Sequence, residues 1–359
     1  MARMENDLML VGSIPFPTVE DVFTTCSRLI GEYLPCMPDG EVGPRLVWAH
    51  YLYERYKTHP DIELQPIPKG MRGPFDERFS RVAKGRRPVH HLVVKRGVTR
   101  IRFGDLGYSA AAIDSYAKFT RLRDQGVIPA HMRFQVAIPF TRSGFGGYFR
   151  RTEDYPILEE AYEEVANREL TEIVEAIPAH DLAIQWDVCS EILDIEDYYP
   201  WWPKGDRLEM NSEPALRLHL DRLPEQAWLG YHICYGTFGG WPMQKPKDVV
   251  LSVALSNALV KKTPRKVDFV HFPAGRKAFD PVYYAALEDL DIGDCKVYLG
   301  LIHDTEPDLQ DFRKRHAAAK QHLKEFGLAS VCGYGRCSPD EINHALEVHR
   351  DVMRDLHST

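Results

Sequence analysis

Residues 228–304 contain, in order, WLGYHICYG (228–236), KDVVLSVALSNALVKK (247–262), VDFVHFP (267–273), DPVYYAALEDL (280–290) and KVYLGLIHD (296–304). The first, third and fifth are short apolar runs without alternation, the pattern of strands buried on both faces. The other two are helix-length and the second opens with Asp-Pro, a helix start. Strand alternating with helix at this spacing makes βαβ units and a parallel sheet. The pattern continues on both sides, with apolar runs FQVAIPF (134–140), LAIQWDV (182–188) and ASVCGYG (329–335). YPILEEAYEEVANRELTEIVEAI (155–177) places Leu158, Ala161, Tyr162, Val165, Leu170, Ile173 and Val174 on one helical stripe. DLQDFRKRHAAAKQHLKEFG (308–327) reads as a helix with a Gly stop. SPDEINHALEVHRDVMRDL (338–356) opens with a capping-box pattern. Residue 130 onward therefore supplies six strand–helix units. LMLVGSIPF (8–16) and YLPCMPDG (33–40) add two strands, and eight close an α/β (β/α)8 TIM barrel.

The 359 residues are expected to form a single TIM-barrel domain, 1–359, with two insertions. The first, 55–130, follows the early strands and contains IELQPIPKG, then a hairpin in VHHLVVKRGVTRIRFG (89–104) and a helix near 109–125. The second, 189–224, follows the fourth strand and carries YYPWWPKGD, an ordered loop or lid. Apolar residues are 44% and charged residues 27% of the chain, which excludes disordered and fibrous classes. The net charge of −7 argues against nucleic acid as a partner. No apolar run approaches the ~20 residues of a membrane helix, and MARMENDLMLVGSIPFP does not read as a signal peptide. A cytoplasmic location is the expectation. Residues 81–102 hold eight Lys/Arg and no acid; this segment reads as a solvated face rather than an anion contact. The seven cysteines show no disulfide spacing. Cys26, Cys36, Cys189 and Cys295 read as core filler and Cys337 as a bystander, leaving Cys234 and Cys332.

A barrel builds its chemistry at the carboxyl ends of its strands. Those ends carry Gly12-Ser13, Asp39-Gly40-Glu41, Thr141-Arg142-Ser143, Asp187, His232 with Cys234, His271, His303 with Asp304, and Cys332. In an extended strand residues i and i+2 share a side, so His232 and Cys234 face one point. Imidazole nitrogen and thiolate sulfur suit Zn²⁺ in tetrahedral geometry. Alone, His-x-Cys is also how a buried core pair reads. Cys332, on the last strand, makes it a three-ligand set with a fourth position open, the pattern of a catalytic zinc.

These residues carry a resemblance. VGSIP (11–15), IQWDV (184–188), HICYGTF (232–238), HFPAGR (271–276) and CGYGR (332–336) resemble, in order and spacing, the catalytic barrel of cobalamin-independent methionine synthase. The wider family groups it with uroporphyrinogen decarboxylase. The resemblance implies zinc held by His232, Cys234 and Cys332. The family's fourth ligand, a strand-end Glu, has no counterpart in Val270–Pro273, where His271 offers a nitrogen instead. It implies that zinc activates a thiol to attack an alkyl or methyl donor. Asp187 matches an Asp that helps hold an amino-acid substrate, and Ser13 matches a carboxylate-binding turn. Asp39 and Glu41 stand where an ammonium would pair, Arg142 is a further substrate contact, and His303 matches the acid/base position. The expected partners are a small-molecule thiol and a methyl or alkyl donor. Two alternatives stand beside this reading. A metal-free decarboxylase or lyase would bind carboxylates through Arg142, Arg276 and Arg336; a non-enzymatic binding protein would use the barrel as a scaffold.

Overall fold

The computed structural model describes residues 8–77, 90–304, 306 and 309–358. Eight parallel strands form one sheet: β1 (Leu8–Met9), β2 (Cys36–Pro38), β5 (Arg133–Pro139), β6 (Leu182–Val188), β7 (Trp228–Ile233), β8 (Phe269–Pro273), β9 (Lys296–Ile302) and β10 (Gly327–Ser330). Their order is β1-β10-β9-β8-β7-β6-β5-β2, so the two end strands are the first two in sequence and the sheet curls into a nearly closed (β/α)8 barrel. β6 spans the predicted run, and every residue of it is buried. Between strands, the helix Tyr155–Ala176 buries the predicted stripe except Val174, which is partly exposed. The helix Pro339–His357 has the expected capping box between Ser338 and Glu341.

The seam between β1 and β2 has no ladder, and its closure uses side chains. LMLVGSIPF was expected to be a long strand, but only Leu8–Met9 pair. The carbonyls of Leu10 and Val11 then need donors inside the barrel, because unpaired buried carbonyls are costly. Gln135 Nε2 supplies both at 3.0 Å, and Gln185 Nε2 reaches Val11 O at 2.7 Å. Ile14 N donates to Gly40 O at 2.8 Å and ties the two loops together.

Several elements differ from the sequence expectation. The hairpin expected within 89–104 supplies only one arm: β4 (His90–Val94) pairs antiparallel with β3 (Ile62–Pro66) in a second sheet. Its other half turns at Gly97, which sits at φ +87°, and runs on without pairing. Residues 81–89 of the basic segment lie outside the described residues; Lys95, Arg96, Arg100 and Arg102 are exposed, as a solvated face requires. Pro281–Asp289 is a 3-10 helix capped by Asp280, not an α-helix. Rising about 2 Å per residue, it covers more distance in nine residues than an α-helix. The next helix is Gln310–Ala319, and Gly327 begins β10 instead of ending a helix. The 189–224 insertion is packed rather than loose. The buried Arg150 guanidinium lies 4.4 Å over Trp201, and Trp202 stacks on Tyr199 at 4.8 Å. Among the described residues no helix is long and apolar enough to cross a membrane.

Candidate active site

Three adjacent strands set the centre of the site. In the ladders Asp187 of β6 is level with His232 of β7, and His232 is level with His271 of β8. In-register residues of parallel strands point to the same face, so one carboxyl and two imidazoles share a row at the barrel mouth. Cys234 lies just past β7 and Cys332 just past β10. Their sulfurs are 2.9 Å apart, and Cys332 Sγ is 3.6 Å from His232 Nε2. The ligand atoms of His232, Cys234 and Cys332 all lie within 4.8 Å of one another, and all three residues are buried.

This donor set fits zinc. With Zn–N and Zn–S bonds of about 2.05 and 2.3 Å, tetrahedral geometry puts nitrogen and sulfur about 3.5 Å apart and two sulfurs about 3.8 Å apart. The His232–Cys332 spacing matches; the sulfurs would part by about 0.9 Å. In the bare protein both thiols are held well above the ordinary cysteine pKa, Cys234 by its Cys189 neighbour and Cys332 by Cys234, with burial adding to each. A bound cation reverses that preference. Cys234 and Cys332 also line a cavity of about 310 Å³ with Ser13, Cys189, Phe238 and Met243, leaving room for a fourth ligand.

His271 approaches from the side away from the sulfurs. Its Nδ1 is 2.5 Å from His232 Nδ1. The rings are inclined by 22° with centroids 4.7 Å apart. A face-to-face stack would keep atoms beyond about 3.5 Å, so the two imidazoles meet edge to edge. Burial drives the pKa of His271 down to about 3 and holds His232 well below 6.5. Two neutral rings in this contact share one proton between the Nδ1 atoms, and His271 Nε2 has no hydrogen-bond partner among the described residues. His271 is thus not one of the three clustered ligands; it contacts the back of one.

The carboxylates divide into two kinds. Asp39 is saturated: it accepts from Glu41 N (2.8 Å), Arg45 Nη2 (2.6 Å) and Ser115 Oγ (2.8 Å). Glu41 and Asp187 keep capacity. Asp187 Oδ1 accepts from Gln185 Nε2 at 2.7 Å. Burial, reinforced by Glu41, raises its pKa well above the carboxylate range. Burial moves Glu41 up to about 7, opposed by Arg45 and by a hydrogen bond from Ser13. Ser13 packs so closely on the Cys332 loop that a Cβ at Gly333 would lie 2.7 Å from Ser13 Oγ, which explains a glycine there.

Arg142 is committed elsewhere. It donates to Glu159 Oε1 (3.0 Å) and Asn211 Oδ1 (3.3 Å), and it lines neither the cavity of about 310 Å³ nor a larger one of about 960 Å³. His303 and Asp304 do not pair with each other. Asp304 bridges Arg276 (2.8 Å) and Arg336 (3.0 Å). His303 is buried on the wall of the larger cavity, and its Nε2 has no partner among the described residues. Burial and then Arg315 and Arg276 keep it neutral. Cys189 reads as filler from the sequence, yet it neighbours Cys234, raising that thiol's pKa, and lines the smaller cavity. The signal was present: Asp187-Val188-Cys189 repeats the spacing of His232-Ile233-Cys234, and the ladder sets the two side by side.

No family model matches the sequence, and no curated protein is significantly similar to it. Several solved structures are similar in fold. One is a B12-independent methionine synthase from Shewanella sp. W3-18-1 in complex with selenomethionine, 14% identical, covering 99% of this chain and 100% of that one with a TM-score of 0.61. Another is a putative vitamin-B12-independent methionine synthase from Listeria monocytogenes, 13% identical, covering 93% and 86% with a TM-score of 0.54. At these identities the likeness is one of architecture, and over nearly its whole length the chain has the barrel of the B12-independent methionine synthase structures.

Proposed function

We propose that the protein is a zinc-dependent enzyme that transfers a methyl or alkyl group from a small donor to a thiol. One observation carries this reading: an imidazole and two sulfurs, about a hundred residues apart in sequence, converge within 4.8 Å at a barrel mouth beside a cavity. Zinc held by His232, Cys234 and Cys332 would keep a thiol in the open position deprotonated and nucleophilic near neutral pH. The chain's own groups do the rest. His271 orients His232 so that its Nε2 lone pair faces the sulfurs. Ser13, Asp187 and Glu41 hold the polar end of the thiol substrate; an ammonium there would draw both carboxyls into their charged forms. His303 Nε2, with no hydrogen-bond partner among the described residues, is available on the wall of the larger cavity. Neutral in the resting protein, it would take up a proton once a bound anion offsets the nearby arginines and pass that proton to a leaving group. The seven free cysteines suit a reducing, cytoplasmic setting.

The deciding experiment is elemental analysis of full-length protein purified without chelator. About one zinc per chain is expected, lost in His232→Ala and in Cys234→Ser. Absence of zinc from protein supplied with it would end this reading. The metal-free lyase alternative rests on Arg276 and Arg336, which do line the larger cavity. It requires Cys234→Ser to be silent.

A further inference from the structure

The larger cavity has a lining opposite in sign to the net charge of the chain. Its volume is about 960 Å³, and its described lining includes five cationic side chains, Lys245, Lys247, Arg276, Lys277 and Arg336. The one carboxylate in that lining is Asp304. This wall belongs to a chain of net charge −7. Asp304 does not cancel the excess. Its two oxygens are taken by Arg276 and Arg336, so it acts as a bracket that holds two guanidiniums side by side. Arg336 is also anchored through Nη1 to Gly333 O at 2.6 Å, next to Cys332. Two guanidiniums held side by side, with three exposed lysines on the same wall, attract an anion.

A second observation points to a ligand. His303 Nε2 is buried on the same wall with no hydrogen-bond partner among the described residues. Buried polar atoms are normally paired, and an orphan facing a cavity marks where a ligand atom belongs. The cavity also adjoins the proposed chemistry, since Met243 and Arg336 line both it and the smaller cavity beside Cys234 and Cys332.

We infer that this cavity is an anion subsite: it takes the carboxylate- or phosphate-bearing part of a small molecule whose other end reaches the smaller cavity. Arg276 and Arg336 grip the anion, the three lysines draw it in, and His303 Nε2 accepts a hydrogen from the ligand's protonated oxygen or nitrogen. Only the placement of the other end rests on the proposed function. Anion binding itself does not need zinc.

The test is titration calorimetry of full-length, metal-free protein with two probes, inorganic phosphate and tricarballylate. Saturable binding of at least one is expected, weakening as salt is raised. Phosphate alone identifies a phosphoryl-bearing ligand, tricarballylate alone a polycarboxylate, and both an unselective anion site. Arg276→Gln with Arg336→Gln should weaken binding by about tenfold or more. Lys245→Gln with Lys277→Gln, which leaves the Asp304 bracket intact, should weaken it by about threefold and settles the matter if the arginine variant does not fold. Failure of both probes to saturate, or full affinity in the lysine variant, overturns the subsite. Protein that takes up zinc yet ignores both probes refutes the subsite and spares the metal reading; protein that binds a probe but takes up no zinc when it is supplied refutes the metal reading and spares the subsite.

Discussion

Replacing His271 separates a zinc ligand from a residue that orients one. His271 is fully buried, and its Nδ1 meets His232 Nδ1 at 2.5 Å. For His232 Nε2 to bind a metal, its proton must sit on Nδ1 and be accepted by His271. His271→Leu keeps most of the volume and removes the acceptor. In the metal-bound state a buried N–H is then orphaned, at about 1–3 kcal/mol. In the metal-free state His232 escapes that cost by moving the proton to Nε2, toward the Cys332 sulfur. The penalty therefore falls on binding. Zinc affinity should drop about 10- to 100-fold, or about 1.4–2.7 kcal/mol. His271→Asn places an amide oxygen near the former Nδ1 and should restore affinity to within about threefold of the native protein. Competition against a chromophoric zinc chelator at neutral pH measures both. An unchanged constant in the Leu variant would show that His271 is idle. A loss as deep as that of Cys332→Ser, with no rescue by Asn, would make His271 a direct ligand.

Other perturbations follow from the same geometry. Glu41 has a folded pKa near 7 against an ordinary 4.5, so the folded state keeps a proton that the unfolded state releases. Its contribution to stability is fully present below about 4.5 and lost as pH rises toward 7, by about 3 kcal/mol at most. Glu41→Gln should therefore gain on the native protein across that window in urea unfolding; parallel stability–pH curves would refute the assignment. Arg150 clamps Asp76 at 2.7 and 2.8 Å beneath Trp201 and pins the 189–224 insertion. Arg150→Met should cost about 3–5 kcal/mol by leaving Asp76 buried and unpaired, and adding Asp76→Leu should recover more than half. Equal losses in single and double variants would show that the pair is not the cause. Zinc at about a hundred times its dissociation constant should stabilise the fold by about 2.7 kcal/mol, read as a rise in melting temperature. No rise would mean that the ion does not prefer the folded state.

Local pattern was enough for the parts of this protein that local forces decide. The apolar run 182–188 is a strand from end to end, the 155–176 helix buries the stripe its spacing predicts, and Ser338 caps the last helix through Glu341. His232 and Cys234 face one point because a strand alternates its sides, and that holds wherever the strand is placed. Cys332 meets them because an eight-unit parallel sheet curls back on itself. What the sequence could not decide depends on register and on competition among distant segments. The β6–β7 ladder, not any motif, sets Cys189 beside Cys234. Arg142 stands at a strand end but answers to Glu159 and Asn211 from elements that no local spacing relates to it. Asp39 is consumed by Arg45 and Ser115, while its near neighbour Glu41 is left with capacity. His271 lies on the strand next to His232, and only the packed orientation of both rings turns it to the back of the ligand rather than toward the sulfurs. Secondary structure follows from interactions a few residues apart, which a sequence displays directly. A site follows from which atoms compete for the same few ångströms of space, and that is settled only when the whole barrel packs.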